Sequence, residues 1–278
     1  MILDPCTRLP DRLTRPEMRL SLGPGLPPGG GTTSFNPASA LFTNGEKGLV
    51  WDFSDPTKLF SDAGVTPATI DGSIGRIVDS SPNGFHGNQA TSSSKPAWKT
   101  SGGKYYALFD GSDDSFQTGA IDFTGTDKLT IFVGIRKLSD ATAGMALELS
   151  ANMGANNGSF WLMAPQTAGD FFEFRSRGTA TSIATVDGHA APVTRVVTCQ
   201  GDIASDVTRI IVNGVSVTQT TDQGSGNYGN FALNVGRRNN VSFPFNGQIF
   251  ALIIIGRTCT AAEILQTEAW INSRTGAF

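Results

Sequence analysis

Nine segments with the hydrophobic pattern of β-strands follow one another after residue 71. They are apolar or alternate between apolar and polar positions, and they are rich in β-branched and aromatic residues. They comprise residues 105–109, 129–136, 159–164, 171–175, 193–199, 207–212, 215–219, 231–235 and 247–255. Asn213-Gly214 separates two of them, and this pair predicts a type I′ hairpin because both of its central positions need a positive φ. The pattern therefore predicts an antiparallel sheet.

The C-terminal segment has a helical pattern instead. Thr260 followed by Glu263 is a capping-box signature. Apolar positions then recur at helical spacing on one face, although Glu268 interrupts it. We predict one short helix that begins near Thr260 and ends before Gly276.

Composition supports an all-β fold of one domain. The 278 residues include 33 glycines and 14 prolines but only 16% charged residues, which is typical of short strands joined by tight turns. A β domain of 200 residues or more commonly has a single core. From the strand pattern alone, an antiparallel sandwich and a barrel both remain open.

The N-terminal region differs from the rest and predicts three parts. Residues 1–34 form an arm and a Gly/Pro linker, residues 35–70 a connecting segment, and residues 71–278 the β domain. Prolines exclude a long helix in the arm, whose leucines and arginines suit docking into a groove of another protein. The predicted anchoring residues are Leu9, Arg12, Leu13, Arg15, Met18, Arg19 and Leu20. The alternative is a disordered terminus without this role.

Charge and cysteine content exclude several classes of function. The net charge of −3 provides no basic field for phosphate backbones, so nucleic acid is not an expected partner. The three cysteines are widely spaced and match neither a metal motif nor a disulfide framework. The longest apolar run, residues 249–255, is too short for a membrane helix, and the first residues lack the pattern of a signal peptide.

Several motifs occur in the order found in concanavalin A-like, laminin-G-like domains. They lie at residues 79–88, 107–116, 210–215, 233–238, 245–249 and 255–264, and include Leu-Phe-Asp-Gly-Ser-Asp-Asp and Ile-Val-Asn-Gly. Residues 75–270 therefore resemble this superfamily, although Ile211 replaces its usual tyrosine. The resemblance implies a two-sheet antiparallel jelly roll of about a dozen strands, with one short C-terminal helix and an extended N-terminal arm.

A second resemblance covers residues 40–67. Their pattern of Leu-Phe, Gly-Glu-x-Gly, aromatic-Asp-x-Ser-Asp and Gly-x-Thr-Pro is similar to a segment of bacteriophage virion and tail-associated proteins. Val50 and Phe53 stand where tyrosine and proline are often seen. The resemblance implies that the chain is part of a virion.

The pattern of acidic residues and histidines argues against an enzyme. Glycanases of the superfamily carry paired acids on one strand, since glycoside hydrolysis needs two nearby carboxylates. Here Glu148 and Glu173 each lie alone on a strand. His86 and His189 are both in glycine-flanked turns, where we expect them to pack rather than to catalyse.

Two kinds of binding site are candidates. Asp110, Asp113 and Asp114 fit a Ca²⁺ site of the kind that related domains hold, but turn chemistry explains them equally without metal, and we favour the turn. For sugar recognition, three loops combine an aromatic platform with polar groups. Their candidate residues are Asn156, Asn157, Trp161, Tyr228, Arg237, Arg238 and Asn239. The alternative is a set of solvated turns with Trp161 in the core.

Together these features predict a non-enzymatic bacteriophage tail fibre or tail-attached adhesin. The arm would bind other virion proteins and the lectin-like domain would bind a host-surface glycan, at the virion surface after synthesis in the host cytoplasm. Because linked copies gain avidity, we expect a homo-oligomer, such as a trimer. The alternatives are a capsid decoration protein or head fibre, a carbohydrate-binding module of a bacterial surface protein and, last, a glucanase.

Overall fold

The computed structural model describes residues 35–278, which form a sandwich of two antiparallel sheets. The first strands are β1 (Gly48–Asp52), β2 (Leu59–Phe60), β3 (Arg76–Ile77), β4 (Gly87–Asn88), β5 (Ala97–Ser101), β6 (Lys104–Asp110), β7 (Phe116–Asp122), β8 (Lys128–Lys137) and β9 (Met145–Leu149). The others are β10 (Ser159–Met163), β11 (Phe172–Arg177), β12 (Thr181–Val186), β13 (Val193–Asp202), β14 (Val207–Val212), β15 (Val215–Gln219), β16 (Asn230–Val235) and β17 (Asn246–Ile255). The helices are α1 (Pro37–Ala40) and α2 (Ala261–Thr275), with 3₁₀ turns at Pro56–Lys58 and Ser92–Ser94.

Strand order confirms the predicted fold class. One sheet has eight strands in the order β15-β14-β13-β8-β17-β6-β5, and β1 pairs with β17 beyond the end of β6. The other has nine strands in the order β12-β11-β10-β9-β16-β7-β4-β3-β2. Both sheets combine pairs of consecutive strands with pairs that are distant in sequence, such as β8–β17 and β9–β16, and every pairing is antiparallel. This arrangement agrees with a jelly-roll sandwich.

The main core lies between the two sheets and follows from the period-2 pattern of the strands. In β8, Leu129, Ile131, Val133 and Ile135 are fully buried in this core. Phe132 points the other way and joins a second cluster with residues of α2. Because both faces of β8 are covered, its sequence is apolar almost throughout.

Helix α2 begins and ends where the sequence predicted. The Thr260 side chain accepts a hydrogen bond from the backbone N–H of Glu263, and the Glu263 carboxylate accepts one from the backbone N–H of Thr260. Gly276 ends the helix with a left-handed φ of 63°. The helix packs on β8, β13 and β17, where a side chain at Gly134 would clash with Thr275 and Ile271. Neither α-helix within residues 35–278 is long and apolar enough to cross a membrane.

The boundary predicted at residue 71 needs correction. The compact unit begins at Phe35, since β1 completes the eight-stranded sheet and Trp51 and Phe53 are fully buried in the core. Residues 35–70 are therefore part of the sandwich and not a separate connecting segment. The predicted anchoring residues of the arm lie outside the described residues.

Candidate functional site

The two sheets differ in what covers their outer faces. Helix α2 covers part of the eight-stranded sheet, whereas the outer face of the nine-stranded sheet carries a transverse line of polar and aromatic side chains. Strand register places these residues opposite one another in the order Asn88, Gln117, Asn234, Glu148, Trp161 and Arg175. Since side chains alternate between the faces of a strand, this whole line points away from the core.

Three amides at one end of this line, Asn88, Gln117 and Asn234, form what we call the amide row. Gln117 Nε2 donates to Asn234 Oδ1 at 2.8 Å, and Asn234 Nδ2 donates to the Ser150 carbonyl at 2.8 Å. Asn88 Nδ2 donates to the His86 carbonyl at 3.1 Å. These bonds fix the orientation of the amides and leave the carbonyl oxygens of Asn88 and Gln117 free to accept hydrogen bonds from a ligand.

A shallow depression of about 380 Å³ is lined by two residues of the amide row, Asn88 and Gln117, but not by the buried Asn234. Its lining is uncharged and consists of Asn88, Gln89, Ala90, Gln117, Thr118, Gly119 and Asn240. Amide and hydroxyl groups offer both donors and acceptors, so this lining suits a neutral ligand that is rich in hydroxyl groups.

The loop between β16 and β17 borders this depression through Asn240. Asn239, Asn240 and Phe243 all have φ values between 45° and 57°, in the left-handed region. Such a conformation is tolerated by asparagine but is unusual for a bulky residue such as phenylalanine. The Phe243 side chain is 37% exposed, while its backbone carbonyl accepts a hydrogen bond from Met145 at 2.8 Å. The loop therefore exposes an aromatic ring at Phe243 and borders the depression at Asn240.

Phe243 is the exposed end of a series of contacts that we call the arginine–aromatic chain, formed by Phe243, Arg238, Trp161 and Arg175. The Arg238 guanidinium carbon lies 4.8 Å from the centre of the Phe243 ring and 4.9 Å from that of Trp161. The Arg175 guanidinium lies 4.6 Å from the Trp161 ring centre. The Trp161 indole N–H has no hydrogen-bond partner among the described residues, so its contacts with the two arginines are its main polar interactions.

Two glutamates on this face, Glu148 and Glu173, are each paired with an arginine of the arginine–aromatic chain. Glu148 is fully buried, and its Oε2 accepts a hydrogen bond from Arg238 Nε at 2.8 Å. Burial raises the pKa of Glu148 above its ordinary value, although the bonds from Arg238 and the Met153 N–H act in the opposite direction. Glu173 Oε1 accepts from Arg175 Nε at 2.6 Å.

The geometry of these glutamates does not suit glycoside hydrolysis. Glu148 lies opposite Trp161, while Glu173 lies opposite Met163, so the two are separated by strand β10 and offset along it. Standard sheet spacings put their Cα atoms about 12 Å apart, and each carboxylate is held by its own arginine, so neither is free to act with the other on one glycosidic bond.

The structure separates the predicted sugar-binding residues into three groups. One group lies in the arginine–aromatic chain or in the β16–β17 loop: Trp161, Arg237, Arg238 and Asn239. Asn157 is exposed but accepts hydrogen bonds from Arg177, and Asn156 is half-buried in the same loop. Tyr228 is fully buried and bonded to Ser176, and burial raises its pKa, so it has no face to offer a ligand. Trp161, only 7% exposed, likewise offers little surface of its own.

Four residues of the site were missed by the sequence analysis: Asn88, Gln117, Asn234 and Phe243. The amides belong to strands β4, β7 and β16, which are far apart in sequence, so only their register brings them together. Only Phe243 had a local signal in the sequence, because this aromatic residue follows the polar run Arg-Arg-Asn-Asn in a predicted loop.

The acidic loop has the geometry of a turn. The carboxylate oxygens of Asp110, Asp113 and Asp114 lie within 4.8 Å of one another, a span that a Ca²⁺ ion could bridge. Each carboxylate also accepts hydrogen bonds from the protein: Asp110 from Ser112 N, Asp113 from the Ser94 hydroxyl and Asp114 from Asp110 N. These bonds account for all three acids without a metal, and the residues could also hold one.

Both histidines serve as buried or half-buried acceptors. His86 Nδ1 accepts from the Asp79 N–H at 3.0 Å, and His189 Nδ1 accepts from Arg195 Nε at 3.1 Å. Burial lowers the pKa of each, which favours the neutral form that these bonds require. In the structure both therefore have packing roles.

The two antiparallel sheets, with this strand order, define a jelly-roll β-sandwich. The chain belongs to the concanavalin A-like lectin/glucanases superfamily, whose family model matches residues 110–265, more than half of its length. No curated protein sequence matches the chain.

Solved structures share this fold at low sequence identity. The binding domain of botulinum neurotoxin serotype G superposes with a TM-score of 0.56 and 13% identity, over 81% of this chain and 51% of that one. Domain 4 of AbnA, a GH43 extracellular arabinanase from Geobacillus stearothermophilus whose structure was solved in complex with arabinotriose, gives a TM-score of 0.53 and 14% identity. That match covers 80% of this chain and 98% of the arabinanase domain. At these identities the similarity shows the fold alone.

Proposed function

We propose that residues 35–278 form a glycan-binding domain that acts without catalysis. The observation that carries this proposal is the Phe243 ring, exposed in a loop that borders an uncharged depression lined by amides. A sugar ring can stack its C–H face on an aromatic ring while its hydroxyl groups bond to the oriented amides. The arabinotriose complex of AbnA domain 4 supports the idea that this fold suits such a ligand.

The absence of turnover is part of this proposal. Glu148 and Glu173 are each held by an arginine, and their Cα atoms lie about 12 Å apart by sheet geometry. Neither is placed to act with the other on one glycosidic bond. We expect no release of reducing ends from a polysaccharide panel, and a signal abolished by a single Asp or Glu substitution would contradict this.

The binding test uses three single variants in the full-length chain. Phe243→Ala and Gln117→Ala remove the platform and an amide of the depression, whereas Val241→Ala shortens an exposed residue of the same loop. A panel of glycans is screened on an array, and the ligands found are measured by calorimetry. We expect Phe243→Ala to weaken binding about tenfold or more, equivalent to about 1.4 kcal/mol, and Val241→Ala to leave it unchanged.

The melting temperatures of the three variants should stay close to that of the wild type, since these side chains lie outside the main core. Equal affinity of the wild type and Phe243→Ala for every ligand found would move binding away from this face. A complete lack of glycan binding would reject the proposed function.

For the biological setting, we propose a bacteriophage tail fibre or tail-attached adhesin. The support is the virion-like pattern of residues 40–67 together with the Leu/Arg-rich arm and Gly/Pro linker. In this proposal the arm binds other virion proteins and the glycan lies on the host surface. Several copies, such as a trimer, would supply avidity.

A carbohydrate-binding module of a bacterial surface protein is the second candidate. It is supported by the likeness to domain 4 of AbnA, which belongs to an extracellular enzyme. A capsid decoration protein or head fibre would use the same fold in a structural role. Locating the chain in a density map of an intact particle distinguishes these settings, because each puts it at a different place or outside the virion.

A further inference from the structure

We propose that Glu148 and Arg238 are positioning residues that hold the Phe243 ring in the β16–β17 loop, which borders the amide-lined depression through Asn240. This inference rests on the proposed glycan-binding function, since it explains how that site keeps its aromatic platform in place. The inference assigns a structural role to the buried ion pair between Glu148 and Arg238, for which we propose no catalytic role.

The first observation is that Phe243 lacks support of its own. Its ring is outside the core clusters, and its left-handed φ of 54° is unfavourable for a bulky residue. Within the loop, Arg238 N donates to the Ser242 carbonyl at 2.9 Å, which closes a tight turn around residues 239–241. The Arg238 guanidinium carbon contacts the Phe243 ring, 4.8 Å from its centre.

The second observation is that Arg238 is fixed from the sheet side. Its Nε donates to Glu148 Oε2 at 2.8 Å, and the Glu148 Oε1 accepts the Met153 N–H at 2.6 Å. Glu148 itself is fully buried in strand β9, which is paired on both sides. The Glu148 carboxylate is therefore held rigidly, and its charge-assisted hydrogen bond from Arg238 connects the β16–β17 loop to strand β9.

The third observation is that Trp161 supports the same guanidinium. The Arg238 guanidinium lies over the Trp161 ring as well as over the Phe243 ring. Arg175, on the neighbouring strand β11, also contacts the Trp161 ring. Glu173 in turn pairs with Arg175. A planar cation in contact with two rings keeps both rings and itself in a defined arrangement, which a flexible lysine would do less well.

This arrangement predicts that binding depends on pH through Glu148. The charged groups facing it are Arg238 directly, and Arg175 with Glu173 across Trp161, while its neighbour on β16, Asn234, is neutral. Protonation would remove the charge that holds Arg238 and would free the Phe243 ring. Because burial raises the pKa of Glu148, binding should weaken at a higher pH than an ordinary glutamate would cause.

The test compares Glu148→Gln, Arg238→Met and Arg238→Lys with the control Arg177→Met, all in the full-length chain. Arg177 lies on the same sheet face but donates to Asn157 and the Gly154 carbonyl, outside the arginine–aromatic chain. We expect the first two variants to lose at least fivefold in glycan affinity, Arg238→Lys to lose less, and the control to match the wild type. We also expect faster amide hydrogen exchange at residues 239–243 in unliganded Glu148→Gln and Arg238→Met.

The pH profile separates positioning from a general folding defect. Wild-type affinity should fall as the pH is lowered, beginning above the pH at which an ordinary glutamate is protonated, while the weaker affinity of Glu148→Gln should stay nearly constant. A parallel fall of affinity in the wild type and Glu148→Gln overturns the inference. It is also overturned if Phe243→Ala loses binding while Glu148→Gln and Arg238→Met keep the affinity and the amide exchange of the wild type. If the wild type binds no glycan, the proposed function fails, and loop exchange in the free variants still decides whether Glu148 and Arg238 hold Phe243.

Discussion

Asp114 is a carboxylate whose surroundings disfavour its charged form. It is buried, and it faces Asp110 and Asp113 in the same loop. Burial, followed by repulsion from these two acids, raises its pKa to about 6, although the Asp110 N–H that it accepts acts in the opposite direction. At neutral pH the folded protein therefore contains a carboxylate whose charged form is less stable than in the unfolded chain.

The raised pKa gives a signed prediction for stability. Between pH 4 and 6 the folded state binds a proton at Asp114 that the unfolded state has released, so the free energy of unfolding falls as the pH rises through this window. Asp114→Asn should remove this dependence and stabilise the domain at pH 7.5 by roughly 1 to 2 kcal/mol, after allowance for solvent screening. Urea unfolding of both proteins at pH 4.0 and 7.5 measures it.

Calcium gives the matching control for this loop. Since turn hydrogen bonds account for the three acids, we expect millimolar CaCl₂ to leave the melting temperatures of wild type and Asp114→Asn unchanged. A rise in the wild type alone would identify a Ca²⁺ site. Equal unfolding curves of the two proteins at both pH values would contradict the raised pKa.

At the scale of elements, the β14–β15 hairpin shows how local sequence determines register. Asn213 and Gly214 have φ values of 46° and 82°, as the predicted type I′ turn requires. The Asn213 Oδ1 also accepts the Val196 N–H at 2.8 Å, which ties the turn to β13. The hairpin is therefore specified both by its turn residues and by a contact with the neighbouring strand.

We expect Gly214→Ala to destabilise the domain by about 1 to 2 kcal/mol, since it puts a side chain in the left-handed region. Gly125→Ala is the matched control, because this glycine has no positive φ and nothing lies within 4 Å of the position that an added Cβ would occupy. Thermal or urea unfolding should show the control at or slightly above wild-type stability. Equal losses in both variants would argue against a conformational cause.

At the scale of the whole molecule, the sandwich needs β1 but should fold without residues 1–22. Leu49 and Trp51 are fully buried, and β1 pairs with β17 along its whole length. Deleting residues 1–22 should leave the melting temperature unchanged, and in the proposed virion setting it should remove the protein from assembled particles. Deleting residues 1–52 should unfold the domain, since the loss of two such core side chains alone exceeds about 5 kcal/mol.

Particle occupancy and thermal melts of the three forms check this prediction. Normal incorporation of the shorter deletion would move attachment from the arm to the sandwich. A collapsed melt of the same protein would instead show that the arm belongs to the core.

Elements whose signals are local could be predicted from the sequence. Each of the nine predicted strand segments corresponds to a strand, and the capping box of α2, its end at Gly276 and the Asn-Gly turn were all specified by a few adjacent residues. Strands β5, β7 and β12 were missed because polar residues interrupt their apolar pattern. Such segments become strands through pairing with neighbours that are distant in sequence.

The site and the domain boundary depend on long-range contacts. Residues 48–53 contain one short apolar run, and its pairing with β17, a strand far along the chain, shows that residues 35–70 belong to the sandwich. Likewise, a sequence shows that Trp161 and Tyr228 are aromatic but not which ring is exposed. Sheet register places Trp161 on the outer face beside Arg175, whereas the packing of two loops buries Tyr228 and leaves Phe243 at the surface. Contacts between residues distant in sequence, and not local pattern, determine this exposure.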